Sequence, residues 1–164
     1  MAVLDVTTIP MEQFPLRWRL TDPKYRVLPS ADLEQIHPLD AASAKRLLEI
    51  TQPWYREQPF TQGLFADVAA TSISGHDDQE VRRVRKWLFH RGVPFKQKVF
   101  LSWSQTEAAV TTWKMLVKYW DDLWYPGSDD LAVFDESLSW ALFLWHEEEA
   151  FFASRPLPTA RPTM

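Results

Sequence analysis

The chain has 164 residues, a length typical of one domain, and its formal net charge at pH 7 is −4. It contains no cysteine, which excludes disulfides, thiolate catalysis and zinc sites with cysteine ligands. Nine tryptophans and ten phenylalanines supply large, rigid groups for a core or for a binding face. The composition therefore predicts a globular domain that needs no covalent cross-links.

The N-terminal residues lack the basic start and the apolar stretch of a signal peptide. The longest fully apolar run, Trp140–Trp145, is too short to span a bilayer. We therefore expect a cytoplasmic protein without a membrane segment. The negative net charge disfavours nucleic acid as a partner, although a local basic patch can be hidden in the total.

Prolines divide both ends of the chain. Pro10, Pro15, Pro23 and Pro29 break residues 1–30 into extended or turn pieces, because proline and the residue before it resist helix formation. Residues 155–164 hold three further prolines and are predicted to form a disordered tail. The predicted domain spans residues 1–154, with residues 1–30 packed on it.

Two helices follow from local end signals. Residues 41–51 carry a stripe of apolar side chains, with Asp40 placed as the N-cap and a proline just beyond the end. A second helix is predicted after Asp77, where Glu80 can reach back to the backbone N–H of the cap residue. Gly92 suits the position just past the end of this helix.

A third helix is predicted after Ser104. Ser104-Gln105-Thr106-Glu107 has the pattern of a capping box, in which the first and last side chains satisfy free backbone N–H groups. The apolar residues that follow have helical spacing: Ala109, Val110, Trp113, Leu116, Val117 and Trp120. We expect Trp113 and Trp120 to face the core.

The remaining segments favour strands. Residues 97–103 and 131–134 are short and β-prone, whereas residues 64–73 are ambiguous. Residues 140–145 and 150–153 flank a charged connection and predict an antiparallel hairpin. The fold class is therefore α+β: a single domain with a mostly antiparallel sheet and about three helices packed on one side of it.

Charge is distributed in two blocks of opposite sign. Residues 82–98 contain seven basic residues and no acidic one, and residues 121–149 contain nine acidic residues and no lysine or arginine. The two blocks either pair with each other across the fold or form separate surfaces. A basic helix face with Trp87, Phe89 and His90 nearby would suit phosphate binding, but a solvated helix face explains the same residues.

The acidic block has two functional interpretations. Clustered carboxylates bind hard cations, but the spacing here lacks the D-x-D-x-D-G series of a calcium loop, so we expect no metal. The second interpretation is an acidic face that meets a basic partner protein, because complementary charge speeds encounter and fixes register. Small proteins that neutralise basic nuclease toxins work in this manner.

No catalytic motif is complete. His146-Glu147-Glu148-Glu149 begins like H-E-x-x-H, but Ala150 occupies the position of the second histidine. Nucleophile-elbow and nucleotide-binding glycine motifs are missing, and we expect no cofactor. An enzyme or metal-binding protein with a pocket around Asp129, Asp130, His146 and Glu147 is the alternative to a binding protein.

Trp124 and Tyr125 follow the third predicted helix and precede two aspartates. An aromatic pair beside carboxylates on a loop is typical of a recognition surface. The same pair can instead plug the end of a sheet. The candidate binding residues are accordingly Trp124, Tyr125, Asp129, Asp130, His146 and Glu147.

The turn Tyr125-Pro126-Gly127-Ser128-Asp129-Asp130 and the later His146-Glu147 resemble the C-terminal part of small bacterial proteins classed as domains of unknown function. These proteins share a Tyr-Pro-x-Ser-Asp-Asp turn and a His-Glu pair at a hairpin. The resemblance covers about a third of the chain and implies a bacterial cytoplasmic origin and a compact α+β fold. It brings no activity and no functional residue with it. The predicted function, a non-enzymatic protein-binding module, therefore rests on the acidic C-terminal face.

Overall fold

A seven-stranded antiparallel sheet forms the centre of the molecule in the computed structural model, which describes residues 4–54, 65 and 67–155. The spatial order of its strands is β2-β5-β4-β6-β7-β8-β3. Their bounds are β2 His37–Pro38, β3 Asp67–Ser72, β4 Lys98–Ser102, β5 Ala108–Thr112, β6 Leu131–Phe134, β7 Trp140–Trp145 and β8 Glu149–Ser154. The predicted α+β class and the predicted hairpin of β7 and β8 are confirmed.

Five α-helices, two short 3-10 helices (Met11–Gln13 and Gln52–Trp54) and one short strand, β1 Arg26–Val27, complete the described elements. The helices are α1 Trp18–Thr21, α2 Ser30–Leu33, α3 Ala41–Thr51, α4 Asp78–Phe89 and α5 Trp113–Leu123. The predicted caps of α3 and α4 are confirmed, because Asp40 accepts from the N–H of Ser43 and Asp77 from that of Glu80. Glu80 does not reach back to its cap. Its carboxylate accepts from Ser74 and Arg83 instead.

The predicted start of the third long helix is wrong. Residues 108–112, which were expected to be helical, form β5, and α5 begins at Trp113 with Thr112 as its N-cap. Ser104 does accept from the N–H groups of Thr106 and Glu107, as a cap would, but these bonds close the turn between β4 and β5. A capping box and such a turn share the same local hydrogen bonds. The pairing of β5 with β4 decides between them.

The sheet is covered on both faces, so the expectation of helices on one side is wrong. Alternate residues of each central strand belong to two separate apolar clusters, as the side-chain period of two requires. Ala44 and Leu47 of α3 belong to one cluster, while α4 and α5 belong to the other. Trp113 and Trp120 are fully buried, which confirms that α5 faces inward.

Residues 4–30 pack on this core as extended pieces joined by short helical turns. Phe14, Leu20 and Leu28 are buried. In the predicted tail, the N–H of Arg155 donates to the carbonyl of Ser139 over 2.8 Å, and residues 156–164 lie outside the described residues. Within the described ranges, no helix has the length and apolarity to cross a membrane.

The hydroxyl of Thr112 tests where α5 begins. Thr112→Val should lower the free energy of unfolding by about 1 kcal/mol, because the N–H of Met115 loses the oxygen that now accepts from it over 3.3 Å. Thr112→Ser keeps the hydroxyl and should lose much less. Urea unfolding of both variants makes the comparison, and equal losses would argue against the cap.

Candidate functional site

Four separate segments meet at one end of the sheet, which we call the acidic end. They are the loop between β3 and α4, the last turn of α5, the loop before β6 and the turn between β7 and β8. The N–H of Ile73 donates to the carbonyl of Glu148 over 2.8 Å, and the N–H of Gly127 to that of His146 over 3.1 Å. The ring of His76 stacks on Trp120 at 5.7 Å. These contacts hold the four segments together.

Acidic side chains come from all four segments: Asp77, Asp78, Asp121, Asp122, Asp129, Asp130, Glu147, Glu148 and Glu149. Several of them, including Asp78 and Glu147, are exposed. The alternative that the two charge blocks pair with each other finds little support. Among the described residues, one ion pair joins the blocks, from Lys98 to Glu136 over 3.8 Å, and both side chains are exposed. The acidic end therefore keeps most of its charge.

Asp129 is used to hold the fold together. It accepts from both terminal nitrogens of Arg19, whose Nη2 lies 3.1 Å from Oδ1, and from the N–H of Tyr125 over 3.0 Å. Arg19 is 5% exposed, and its guanidinium lies 4.4 Å from the ring centre of Tyr125. Arg19 also donates to the carbonyl of Leu123. This buried pair fastens the N-terminal segment to the loop before β6.

Trp124 closes the end of the core beneath this pair. The side chain is fully buried, and its Nε1 donates to the carbonyl of Asp129 over 3.0 Å. The geometry matches the interpretation in which Trp124 fills the end of the sheet, not the one in which it forms a recognition surface. Tyr125 is half-buried and lies beside Trp18 at 5.7 Å, so one part of its ring is left to face the surface.

His146 and Glu147 lie in the exposed turn between β7 and β8, and the half-buried Asp130 contacts this turn from the loop before β6. Asp130 accepts from the N–H of His146 over 2.9 Å and lies equally close to its Nδ1. Glu147 is exposed and 4.0 Å from Nε2 of the same histidine. The six candidate residues thus come to one end of the molecule, but they do not converge in one pocket.

A cleft lies next to the candidate residues, and no pattern in the sequence predicted it. It has a volume of about 450 Å³ and is lined by Lys24, Tyr25, His76, Asp121, Asp122, Tyr125 and Pro126. Lys24 and Tyr25 come from the turn between α1 and β1, and the two aspartates from the last turn of α5. That turn follows a bend, because Tyr119 has φ −122° and ψ 23°, outside the helical range.

Asp122 is the most unusual group in the cleft. It is 9% exposed, and its Oδ2 has no hydrogen-bond partner among the described residues. The nearest cation, Nε of Arg26, is 3.6 Å away, beyond hydrogen-bonding distance. Burial, with the charge of Asp121 added, raises the pKa of Asp122 to about 6. Oδ1 of Asp121 is also buried and without a hydrogen bond there.

One local feature of the sequence could have indicated this cleft. Two carboxylates at the C-terminal end of a helix oppose the helix dipole, which favours cations there. Lys24, Tyr25 and His76 come from segments far away in the chain, which local patterns do not relate to the aspartates. In the described ranges, no three His, Asp or Glu side chains are grouped to hold a metal ion.

No protein-family model matches the chain, and neither the curated proteins nor the solved structures contain a significant match to it. The resemblance to small bacterial proteins therefore stays a prediction. The function has to be argued from the site itself.

Asp122 and Asp135 form a matched pair for a stability test, because both are almost fully buried. Within the described part of the chain, both oxygens of Asp135 accept hydrogen bonds, whereas Oδ2 of Asp122 accepts none. Asp135 accepts from the N–H of Ser137 and from Nε1 of Trp140. At pH 7, Asp122→Asn should raise the free energy of unfolding by about 1–2 kcal/mol, because a desolvated charge is removed. Asp135→Asn should lower it by about 1–3 kcal/mol.

The effect of Asp122 depends on pH in a defined direction. Its folded pKa of about 6 exceeds the ordinary 3.8, so the folded state binds more protons between these values. The wild-type chain should therefore lose stability relative to Asp122→Asn as the pH rises from about 4 to about 6. Urea midpoints at several pH values measure the difference. A difference in stability that does not change with pH, or an Asp122→Asn variant less stable than the wild type at pH 7, would contradict the prediction that the Asp122 carboxylate destabilises the fold.

Asp129→Asn tests the buried ion pair. The change leaves the Arg19 guanidinium buried without its counter-charge, so we expect a loss of about 3 kcal/mol or more in the free energy of unfolding. Asp130→Asn is the control, because Asp130 pairs with His146 at a half-exposed position and should cost less than about 1 kcal/mol. Similar losses in the two variants would refute the structural role given to Asp129.

Proposed function

We propose that the chain is a non-enzymatic binding protein whose acidic end docks on a basic surface of another protein. The observation that carries the proposal is the convergence of carboxylates from four segments at one end of the sheet, with little neutralisation by the basic block. A folding requirement alone does not explain such clustering, because like charges at close range destabilise the compact state.

The opposite end of the sheet strengthens the electrostatic argument. Arg91, Lys96, Lys98, Lys114 and Arg155 lie there, where α4 ends and β4 and α5 begin. The molecule therefore has an acidic and a basic end, and a charge distribution of this kind orients a charged partner before contact. An acidic contact face also disfavours nucleic acid as the partner, because phosphates would be repelled.

The enzyme alternative loses its proposed pocket. Asp129 is occupied by Arg19, Asp130 is bonded to His146, and Glu147 projects from an exposed turn. A catalytic group needs its side chains around one point that a substrate reaches. The size and acidity of the chain remain analogous to those of small cytoplasmic proteins that neutralise basic toxins, and a cytoplasmic bacterial immunity-like role belongs to this proposal.

Affinity capture with charge-reversed variants tests the docking face. The acidic-end variant carries Asp78→Lys and Glu147→Lys, and the control carries Asp67→Lys and Glu136→Lys at the opposite end, with the same change in net charge. All four positions are exposed. A basic protein captured from a lysate of the source organism should be retained by the wild type and by the control. It should be lost from the acidic-end variant and from the wild type at high salt.

Thermal unfolding establishes that both variants fold. Recovery of the bait alone would count against a protein partner. A partner that stays bound to the acidic-end variant would place the contact elsewhere on the molecule.

A further inference from the structure

We infer that the chain forms a two-fold symmetric dimer in which the outer edge of β3 pairs antiparallel with β3 of a second copy. β3 is the last strand of the sheet, and among the described residues it pairs with β8 alone. The dimer goes beyond the proposed function, because it uses the side of the sheet and leaves the acidic end free to dock.

The register of β3 on β8 shows which backbone groups face outward. The N–H of Ile73 donates to the carbonyl of Glu148 over 2.8 Å, at the end of the ladder. In an antiparallel pair, the N–H and C=O groups of every second residue point the same way. The odd-numbered residues of β3 therefore bond to β8, as Ile73 does. Val68 and Ala70 present their N–H and C=O groups outward, where the described part of the chain supplies no further strand.

This edge lacks the features that usually prevent strand pairing. Soluble proteins protect their edge strands with lysine, proline, bulges or a covering element. Residues 68–72 are Val-Ala-Ala-Thr-Ser, and they pair with β8 without a bulge. Val68 is 47% exposed although it is large and apolar. The edge is therefore regular, uncharged over five residues and open to a neighbouring strand.

Arg83 of α4 limits the edge and thereby selects the register of the dimer. Its guanidinium donates to the carbonyl of Ser72 and, over 3.0 Å, to the hydroxyl of Thr71, so that end of the edge is already occupied. The open groups belong to Val68 and Ala70. An antiparallel copy satisfies all of them when each Val68 faces Ala70 of the other copy, which forms four hydrogen bonds between the copies.

A charged pair forms in the same register. Asp67 is exposed and comes to lie opposite Thr71 of the second copy. The guanidinium of Arg83 contacts that threonine, and its side chain is 44% exposed. Asp67 of each copy therefore meets Arg83 of the other, once on each side of the two-fold axis.

The charge of the whole molecule favours the same arrangement. β3 runs from the basic end, where Asp67 and Arg91 line one groove, to the acidic end, where Ser72 lies opposite Glu149. An antiparallel second copy places the acidic end of each molecule beside the basic end of the other, and the two charge distributions attract each other. A second copy is thus matched to this edge by its strand, its end charges and its symmetry.

Sedimentation equilibrium of the full chain measures the association. We expect a dimer with a Kd between about 1 μM and 1 mM at low salt, and weaker association at high salt. Hydrogen exchange should protect the amides of Val68 and Ala70 at concentrations where the dimer forms. A chain that stays monomeric at about 1 mM overturns the dimer. Protection of these amides in the dilute monomer would show that the chain covers its own edge, and it would overturn the dimer as well.

Two variants act on the edge in different ways. Ala70→Pro removes an outward N–H and leaves the ladder to β8 intact, since proline is tolerated at such edge positions. Asp67→Lys places a positive charge against Arg83 of the second copy. Each should weaken dimerisation at least about tenfold. Glu136→Lys is the control, because it makes the same change in charge at an exposed position away from β3 and should alter the Kd less than about twofold.

Thermal unfolding establishes that each variant folds. A folded Asp67→Lys variant that dimerises like the wild type would overturn the proposed pairing, and this result does not depend on the folding of the proline variant. An equal loss of association in Glu136→Lys would overturn it too, because the attraction would then be diffuse.

Cysteine cross-linking tests the register, because the chain contains no cysteine of its own. Ala69 faces Ala69 of the second copy at a non-hydrogen-bonded position, where the Cα atoms are about 4.5 Å apart and within reach of a disulfide. Ala69→Cys should therefore form a covalent dimer under mild oxidation. Ala70→Cys should not, because its Cα atoms lie more than about 7 Å apart. Cross-linking of Ala70→Cys that equals or exceeds that of Ala69→Cys would overturn this register.

Discussion

The packing of α5 on the sheet is the contact on which the other features depend. Trp113, Trp120 and Trp124 are fully buried along one side of the helix and its end, and each removes a large apolar area from water. Because these rings set the position of the helix, they also set where its last turn ends. That turn places Asp121 and the buried Asp122 beside the loop before β6, so the core determines where the charge accumulates.

The N-terminal segment partly neutralises the charge of the acidic end. Arg19 neutralises Asp129 inside the protein, and Arg26 approaches Asp122 without forming a hydrogen bond to it. Both arginines come from outside the basic block, which lies along α4 and towards the opposite end. Two arginines of the N-terminal segment thus lie near carboxylates of the acidic end, while others there, such as Asp78 and Glu147, are exposed. A separation of charge of this kind is useful for association and unfavourable for compactness.

The aspartates of this region have different roles because their surroundings differ. Asp129 and Asp135 accept several hydrogen bonds and fix turns, whereas the similarly buried Asp122 has one oxygen without a donor among the residues that the structure describes. Proteins often retain an unfavourable group where function requires it. The sequence does not show which aspartates have hydrogen-bond donors for their carboxylates, because the residue type is the same in each case.

The sequence by itself determined the elements whose signals are local: the capped helices α3 and α4, the strands β6, β7 and β8, and the inward side of α5. Hydrogen bonds between residues a few positions apart and the alternation of apolar side chains carry that information. Tertiary structure decided that Ser104 begins a turn, that helices cover both faces of the sheet, and that Tyr25, His76 and Asp122 share a cleft. Strand pairing and the approach of distant segments decide these features, because they depend on which surfaces bury each other, and a single stretch of chain does not contain that choice.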